Sequence, residues 1–163
     1  FIPGRMLSLP INGHGVAFVD YAHNFVSMQA LLSFAQAQYP NGRVLVVVGS
    51  PGNKGVSRRA DFGHVVSDLA DVVYLTADDP QFENPLDIAH EIAAHINNDK
   101  LEVHYEMNRI AAIHEAISAA NENDIVIVAG KGEDPYQKID GVDVPYIGDY
   151  AVVKQFRDQI KNP

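Results

Sequence analysis

Four short stretches of this chain hold most of the side chains that can do chemistry. "DYAHN" (20–24) puts an acid, an imidazole and an amide, Asp20, His23 and Asn24, at the end of an apolar run. "GSPGNKG" (49–55) combines turn-forming glycines with a lysine that suits an anion, and Arg58 and Arg59 follow it directly. "DDP" (78–80) sets two carboxyls, Asp78 and Asp79, side by side. "GKGEDPYQ" (130–137) joins two glycines to a lysine and two acids, with Gly130 at its start and Asp134 within it.

Each stretch has a chemical reading and a plainer one. Neighbouring carboxyls raise each other's pKa unless a cation or amide donors intervene, but loops also use Asp simply to turn. Basic residues at a helix start oppose its dipole. Arg58 and Arg59 make sense there if they face an anion that the helix amides also favour, and one of them can grip a carboxylate with both arms; a solvated arginine pair is the alternative. The glycine loop lacks the spacing G-x-x-x-x-G-K-[ST], and no G-x-G-x-x-G follows the first strand, so neither nucleotide fingerprint is present. His90, His95 and His114 fall in helix-like segments and His104 in a strand, where packing is the natural role; no H-E-x-x-H metal spacing and no G-x-S-x-G elbow occurs.

The elements that must position these groups alternate. Strand-like runs at 16–20, 43–49, 71–76, 101–106 and 124–130 are separated by segments with helical spacing at 27–39, 57–70, 85–96 and 109–120. "RVLVVVG" (43–49) is continuously apolar, as a strand covered on both faces must be, whereas "LEVHYE" (101–106) is polar enough to lie nearer an edge. "YQKIDGVDVPY" (136–146) predicts a small hairpin turning at Asp140-Gly141, and a last helix is expected around 150–161. Repeated βα steps imply an α/β fold: a Rossmann-like, mostly parallel sheet of five or six strands with helices on both faces. Ligands of such sheets sit beyond the carboxyl ends of the strands. The four chemical stretches all follow strands at that end. The fourth strand ends in "MNR" (107–109), which is less telling.

Composition narrows the function classes. With 163 residues, one domain with one good core is expected. The net charge of −9 argues against a nucleic-acid or acidic-membrane surface, though not against a local site for a small anion. No cysteine is present, which excludes disulfides, thiolate metal sites and cysteine nucleophiles. No apolar run approaches the ~20 residues that span a bilayer, and the start lacks the charged-then-apolar pattern of a leader. The chain opens on Phe1 and in mid-phrase, so a piece of a longer protein is expected; a start lost to disorder is the alternative.

Taken together, "PGRM" (3–6), "DYAHN", "GNKGVSRR" (52–59), "DDP" with the following "ENP" (83–85), and "AGKGEDPYQ" (129–137) resemble the C-terminal domain of the Mur ligases. The nearest branch is the one that adds the third amino acid of the peptidoglycan stem peptide. The likeness covers nearly the whole chain. "DYAHN" alone is shared with folylpolyglutamate and cyanophycin synthetases; the combination is more specific. The resemblance implies a Rossmann-like domain and a cytoplasmic, ATP-dependent amide ligase. ATP phosphorylates the carboxylate of UDP-MurNAc-dipeptide, and an amino acid amine attacks the acyl phosphate. It implies that ATP and Mg2+ are held mostly by a central domain, and the UDP group by an N-terminal domain, both outside this chain. It implies neither a nucleic-acid nor a membrane partner. Arg5, Asp20, His23 and Asn24 match nucleotide-contacting positions, and Arg59 the arginine that binds the amino acid's α-carboxylate. Asp78, Asp79, Gly130 and Asp134 match the substrate side, the last two near its far end. No catalytic residue and no metal ligand is assigned within these residues, and no turnover is expected from the isolated chain.

Two departures bear on the substrate. Diaminopimelate-adding relatives usually show "DNPR" where this chain reads Asp78-Asp79-Pro80-Gln81. Losing that arginine removes the partner for a distal carboxylate, and Asp79 adds a charge suited to an ammonium. L-lysine is therefore expected as the incoming amino acid, with L-ornithine close behind. Phe25, where proline is frequent, and Glu133, where histidine is frequent, are the second departure. A cyanophycin- or folylpolyglutamate-type ligase, or a noncatalytic α/β module that senses an amino acid or nucleotide, stays open at this point.

Overall fold

A computed structural model describes residues 6–161 of the chain. Six strands form one sheet: β1 (Met6–Pro10), β2 (Val16–Asp20), β3 (Val44–Val48), β4 (Val72–Leu75), β5 (Glu102–Tyr105) and β6 (Ile125–Ala129). Their order is β1-β2-β6-β3-β4-β5, all parallel except β1, which pairs antiparallel with β2. The expected α/β class, five parallel strands and polar edge strand are all present. β1 is an addition that sequence reading missed; Pro10 is tolerated there because it ends an edge strand.

The connecting helices are α1 (Phe25–Gln38), α2 (Ser57–Leu69), α3 (Pro85–Ala93), α4 (Arg109–Ala119) and α5 (Asp149–Lys161). From β2 the chain steps outward through β3 and β4 to β5, then returns to place β6 between β2 and β3. Right-handed crossovers therefore put the outward helices on one face and the return helix on the other. The packing follows: Met28, Leu32, Phe62 and Ile92 of α1–α3 pack with Val44, Val46 and Val48. Ile113 and Ile117 of α4 and Val152 and Val153 of α5 pack with Leu45 and Val47. Alternate residues of β3 feed the two cores, which is why its apolar run is unbroken. Fully burying each such side chain is worth roughly 1.5–3 kcal/mol.

Among the described residues, three of the five helix starts are fixed by asparagine caps. Asn24, Asn84 and Asn108 accept from backbone N–H groups of α1, α3 and α4, and Pro85 opens α3, where its missing N–H costs nothing. After β6, β7 (Tyr136–Ile139) and β8 (Val142–Pro145) form the expected hairpin. Its turn residues have φ of 52° (Asp140) and 76° (Gly141), the left-handed pair that favours Asp-Gly. Among the described residues, no helix is long and apolar enough to cross a membrane.

Candidate functional site

The parallel register levels the strand ends: Asp20 lies opposite Ala129 across β2–β6, and Val48 opposite Leu75 across β3–β4. The loops that follow are then knitted to one another. From the β2 end, the Asp20 carbonyl accepts the Gly130 N–H (3.0 Å), and the Tyr21 hydroxyl accepts the Glu133 N–H (3.0 Å). Gly130 has φ 109°, and a Cβ there would stand 2.9 Å from Asp78 Oδ2, so only glycine lets the β6 loop approach that carboxyl. From the β6 loop, Lys131 Nζ donates to Asp79 Oδ1 at 2.7 Å and stands 4.0 Å from Asp134 Oδ2. From the β4 loop, Asp79 O accepts the Gly52 N–H at 2.8 Å, and the Phe82 N–H donates to Asn53 Oδ1 at 3.0 Å, which reaches the loop after β3. The hairpin closes the far side: Gln81 N–H donates to Lys138 O (2.9 Å) and Lys138 N–H to Asp79 Oδ1 (3.0 Å). Asp20, Asp78, Asp79, Gly130, Asp134 and Arg59 thus belong to one connected rim. Arg5 lies outside the described residues.

At the β2 corner, Asp20 Oδ1 accepts the Ala22 N–H (2.7 Å). The exposed His23 ring meets the Tyr21 carbonyl at 2.8 Å through Nδ1, which leaves Nε2 facing outward. Asn24 is committed differently from expectation: its Oδ1 accepts both the Ser27 N–H and the Ser27 hydroxyl, each at 2.9 Å, in the α1 cap. Phe25 opens α1 without disturbing that corner.

The electrostatics of the rim are settled largely inside the chain. Burial pushes the Asp78 carboxyl up to about 6, against the pull of Arg109 and Lys131. Burial also raises Asp134, with Lys131 opposing. Asp79 was expected to offer a spare negative charge, but its Oδ1 already holds Lys131, whose side chain is fully buried. Asp79 and Asp134 thus flank one lysine, while the buried Asp78 carboxyl is drawn by Arg109 and, less strongly, by Lys131. Arg59, the third residue of α2, is buried rather than open. Its Nη2 donates to Glu83 (2.8 Å) and its Nη1 to Glu91. Burial works against its charge, and the bonds from the two glutamates more than offset that, so its pKa lies above the ordinary value. The same bond, with one from the Asn53 N–H at 2.7 Å, holds Glu83 below the usual carboxylate range. Arg58 is only half-buried.

A cavity of about 460 Å³ opens behind the "DDP" loop, walled in part by Gln81, Glu83, Asn108, Arg109 and Asp140. Its single cation, Arg109, is spoken for by Asp149 through Nε and Nη2, both at 2.8 Å, and donates to the carbonyls of Ala77 and Ala129 (2.9 and 3.0 Å). Tyr146 completes that cluster by donating to Asp149 Oδ1 at 2.6 Å. Asp149 more than offsets the burial of Arg109 and raises its pKa, while burial and then Asp149 raise Tyr146.

"MNR" was set aside in the sequence as uninformative, and the structure corrects that: Arg109 ties the ends of β4 and β6 together just where their loops begin. Glu83, Glu91 and Lys131 were likewise not singled out as partners. Only "ENP" hinted at Glu83, and nothing in the spacing announces Glu91 or Asp149. Among the described residues, no three His, Asp or Glu side chains gather to hold a metal ion.

The family model described as Mur ligase, glutamate ligase domain, matches residues 4–132. A UDP-N-acetylmuramyl-tripeptide synthetase of Ligilactobacillus salivarius is 52% identical over 159 residues, covering 98% of this chain and 31% of that protein. A UDP-N-acetylmuramoyl-L-alanyl-D-glutamate–L-lysine ligase of Enterococcus faecalis is 47% identical over 156 residues, 95% of this chain and 30% of that protein. The solved structure of a UDP-N-acetylmuramoyl-L-alanyl-D-glutamate–2,6-diaminopimelate ligase superposes with a TM-score of 0.89 at 28% identity, over 99% of this chain and 33% of that one. The chain thus spans about a third of the length of the curated relatives it matches.

Proposed function

The chain belongs to the Mur ligase family, as its glutamate-ligase-type domain, and on that footing we propose that it receives the amino acid in an ATP-dependent ligase. The whole enzyme joins L-lysine, as the third residue, to UDP-N-acetylmuramoyl-L-alanyl-D-glutamate in the cytoplasm, for peptidoglycan. ATP supplies the phosphoryl group that makes the dipeptide carboxylate an electrophile. The lysine amine then forms the amide bond, phosphate leaves, and the amine gives up a proton. Positioning and charge are what this domain contributes.

Arg59 takes the α-carboxylate of the incoming amino acid. Asp78, Asp79, Gly130 and Asp134 form the far end, where the side-chain ammonium lies. Asp20, His23 and Asn24 face the nucleotide edge, and Arg5 is assigned to the nucleotide by the family resemblance alone. Asp20 and the outward Nε2 of His23 suit ribose hydroxyls, while the amide of Asn24 serves first as a cap. The glycine loop lacks a Walker A pattern, and among the described residues no His, Asp and Glu side chains are arranged to hold a metal ion, so Mg2+ and the ATP phosphates are assigned to the central domain.

One observation carries the choice of lysine. Asp79 and Asp134 flank one lysine at the far end, with the buried Asp78 carboxyl beside them, and by the family resemblance Gln81 takes the place of the arginine that would meet a second carboxylate. The cation near that place, Arg109, is fully committed to Asp149. An ammonium is welcome there and a carboxylate is not. The name carried by the Enterococcus faecalis relative supports the same choice. Ornithine, one methylene shorter, is the nearest competitor.

The test is direct competition. Full-length enzyme is given ATP, UDP-MurNAc-dipeptide and equal L-lysine and meso-diaminopimelate, and the product is weighed by mass spectrometry. The lysine adduct is expected to dominate; a diaminopimelate adduct in the majority defeats the assignment.

A further inference from the structure

The guanidinium that the proposed function gives to the ligand is already held by two carboxylates of this chain. Arg59 Nη2 donates to Glu83 at 2.8 Å and to the Pro51 carbonyl at 3.4 Å, and Nη1 donates to Glu91. The Arg59 side chain is only 4% exposed, so with both acids in place it offers no open face to a third carboxylate.

The two acids are not equivalent. Glu83 also accepts the Asn53 N–H at 2.7 Å, and Asn53 in turn accepts from Phe82, so Glu83 is anchored on both sides of the rim. Glu91 sits in the last turn of α3, where a negative charge opposes the helix dipole. Its side chain is 53% exposed, and among the described residues Arg59 is its one hydrogen-bond partner. Releasing Glu91 sends a carboxylate into water; releasing Glu83 breaks a two-loop clasp.

Resting on the assignment of Arg59 to the α-carboxylate, we infer that Glu91 is an internal occupant of the carboxylate site, displaced when the amino acid binds. Glu83 is the positioning residue that keeps the guanidinium aimed during the exchange. The two acids on one arginine then have opposite effects on the ligand. Glu91 lowers the apparent affinity by the fraction of molecules in which it covers Arg59. Glu83 raises it, because an unanchored guanidinium must be ordered by the ligand itself.

The experiment uses the full-length ligase and measures kcat and the lysine KM. It also measures inhibition by cadaverine, which is lysine without its carboxylate. Glu91→Gln is expected to lower the lysine KM by ~2–5-fold, the range set by releasing one half-exposed ion pair. Its kcat should stay within about twofold, and cadaverine should inhibit it as it does the parent. Glu83→Gln is expected to raise the lysine KM by ~10-fold, with cadaverine again unmoved. Should Glu83→Gln fail to fold, Glu83→Asp, which keeps the charge and shortens the reach, replaces it with a rise of smaller size. A lysine KM that is unchanged or raised in Glu91→Gln overturns the inference. So does a fall shared equally by cadaverine. Arg59→Gln separates this from the underlying assignment: if it leaves the lysine KM untouched, Arg59 is not the carboxylate site at all. A large rise there with no effect of Glu91→Gln removes only the exchange.

Discussion

Two buried arginines on the same rim are built differently. Arg109 and its partner Asp149 are both fully buried, and Tyr146 and two strand-end carbonyls complete the cluster. Arg59 is nearly as buried, yet its partners Glu83 and Glu91 are 32% and 53% exposed, and among the described residues its Nε–H has no partner. Opening the first pair would strand a carboxylate in the core, which is costly. Opening the second returns a carboxylate to water, which costs little. The first arginine holds the loops; the second is free to trade one carboxylate for another.

The contrast breaks first at Arg109. Arg109→Met should lower stability by about 3–5 kcal/mol, the range for removing one partner of a buried pair. Urea unfolding of the domain measures it, and a loss below about 1 kcal/mol would mean that the cluster is dispensable.

Asp78→Asn sharpens the contrast through pH. Burial raises this carboxyl from 3.8 to about 6 in the folded chain. As pH climbs, the unfolded chain releases this proton first, so between those values the folded state binds more protons. The contribution of Asp78 is therefore present below about pH 4 and lost as pH rises through 6. The variant, which cannot ionise, should gain on the parent by about 2.5 kcal/mol from pH 4 to pH 7. Paired unfolding curves at the two pH values check it; a constant difference would mean that the carboxyl is not buried as described.

The smallest effect belongs to Glu91. Glu91→Gln should lower stability by no more than about 1 kcal/mol, as for an exposed ion pair. A loss of several kcal/mol would make Arg59 another structural arginine and erase the distinction.

The fold was open to reading because it rests on local patterns. Continuous apolar runs gave β3 and β6, the Asp140-Gly141 step gave the hairpin turn, and βα alternation gave the parallel sheet. β1 escaped because "MLSLP" is a short edge strand with little apolar content to bury. The site was half legible. Its loops could be placed at one rim, since topology sends all strand ends there. Which side chains meet could not be read: Lys131 reaches Asp79 across 52 residues, Arg109 reaches Asp149 across 40, and Arg59 reaches Glu91 across 32. Periodicity reports which face of an element is buried. It carries no information on which distant acid neutralises a given base. That is why Asp79 read as a spare charge and Arg59 as an open clamp.

A crystal structure of the full-length ligase with L-lysine bound tests the central claim most directly. The lysine carboxylate should lie on Arg59 with Glu91 turned to solvent, its ammonium should lie beside Asp134, and the Arg109–Asp149 pair should be unchanged. Lysine bound away from this rim, with Glu91 still on Arg59, would contradict the account.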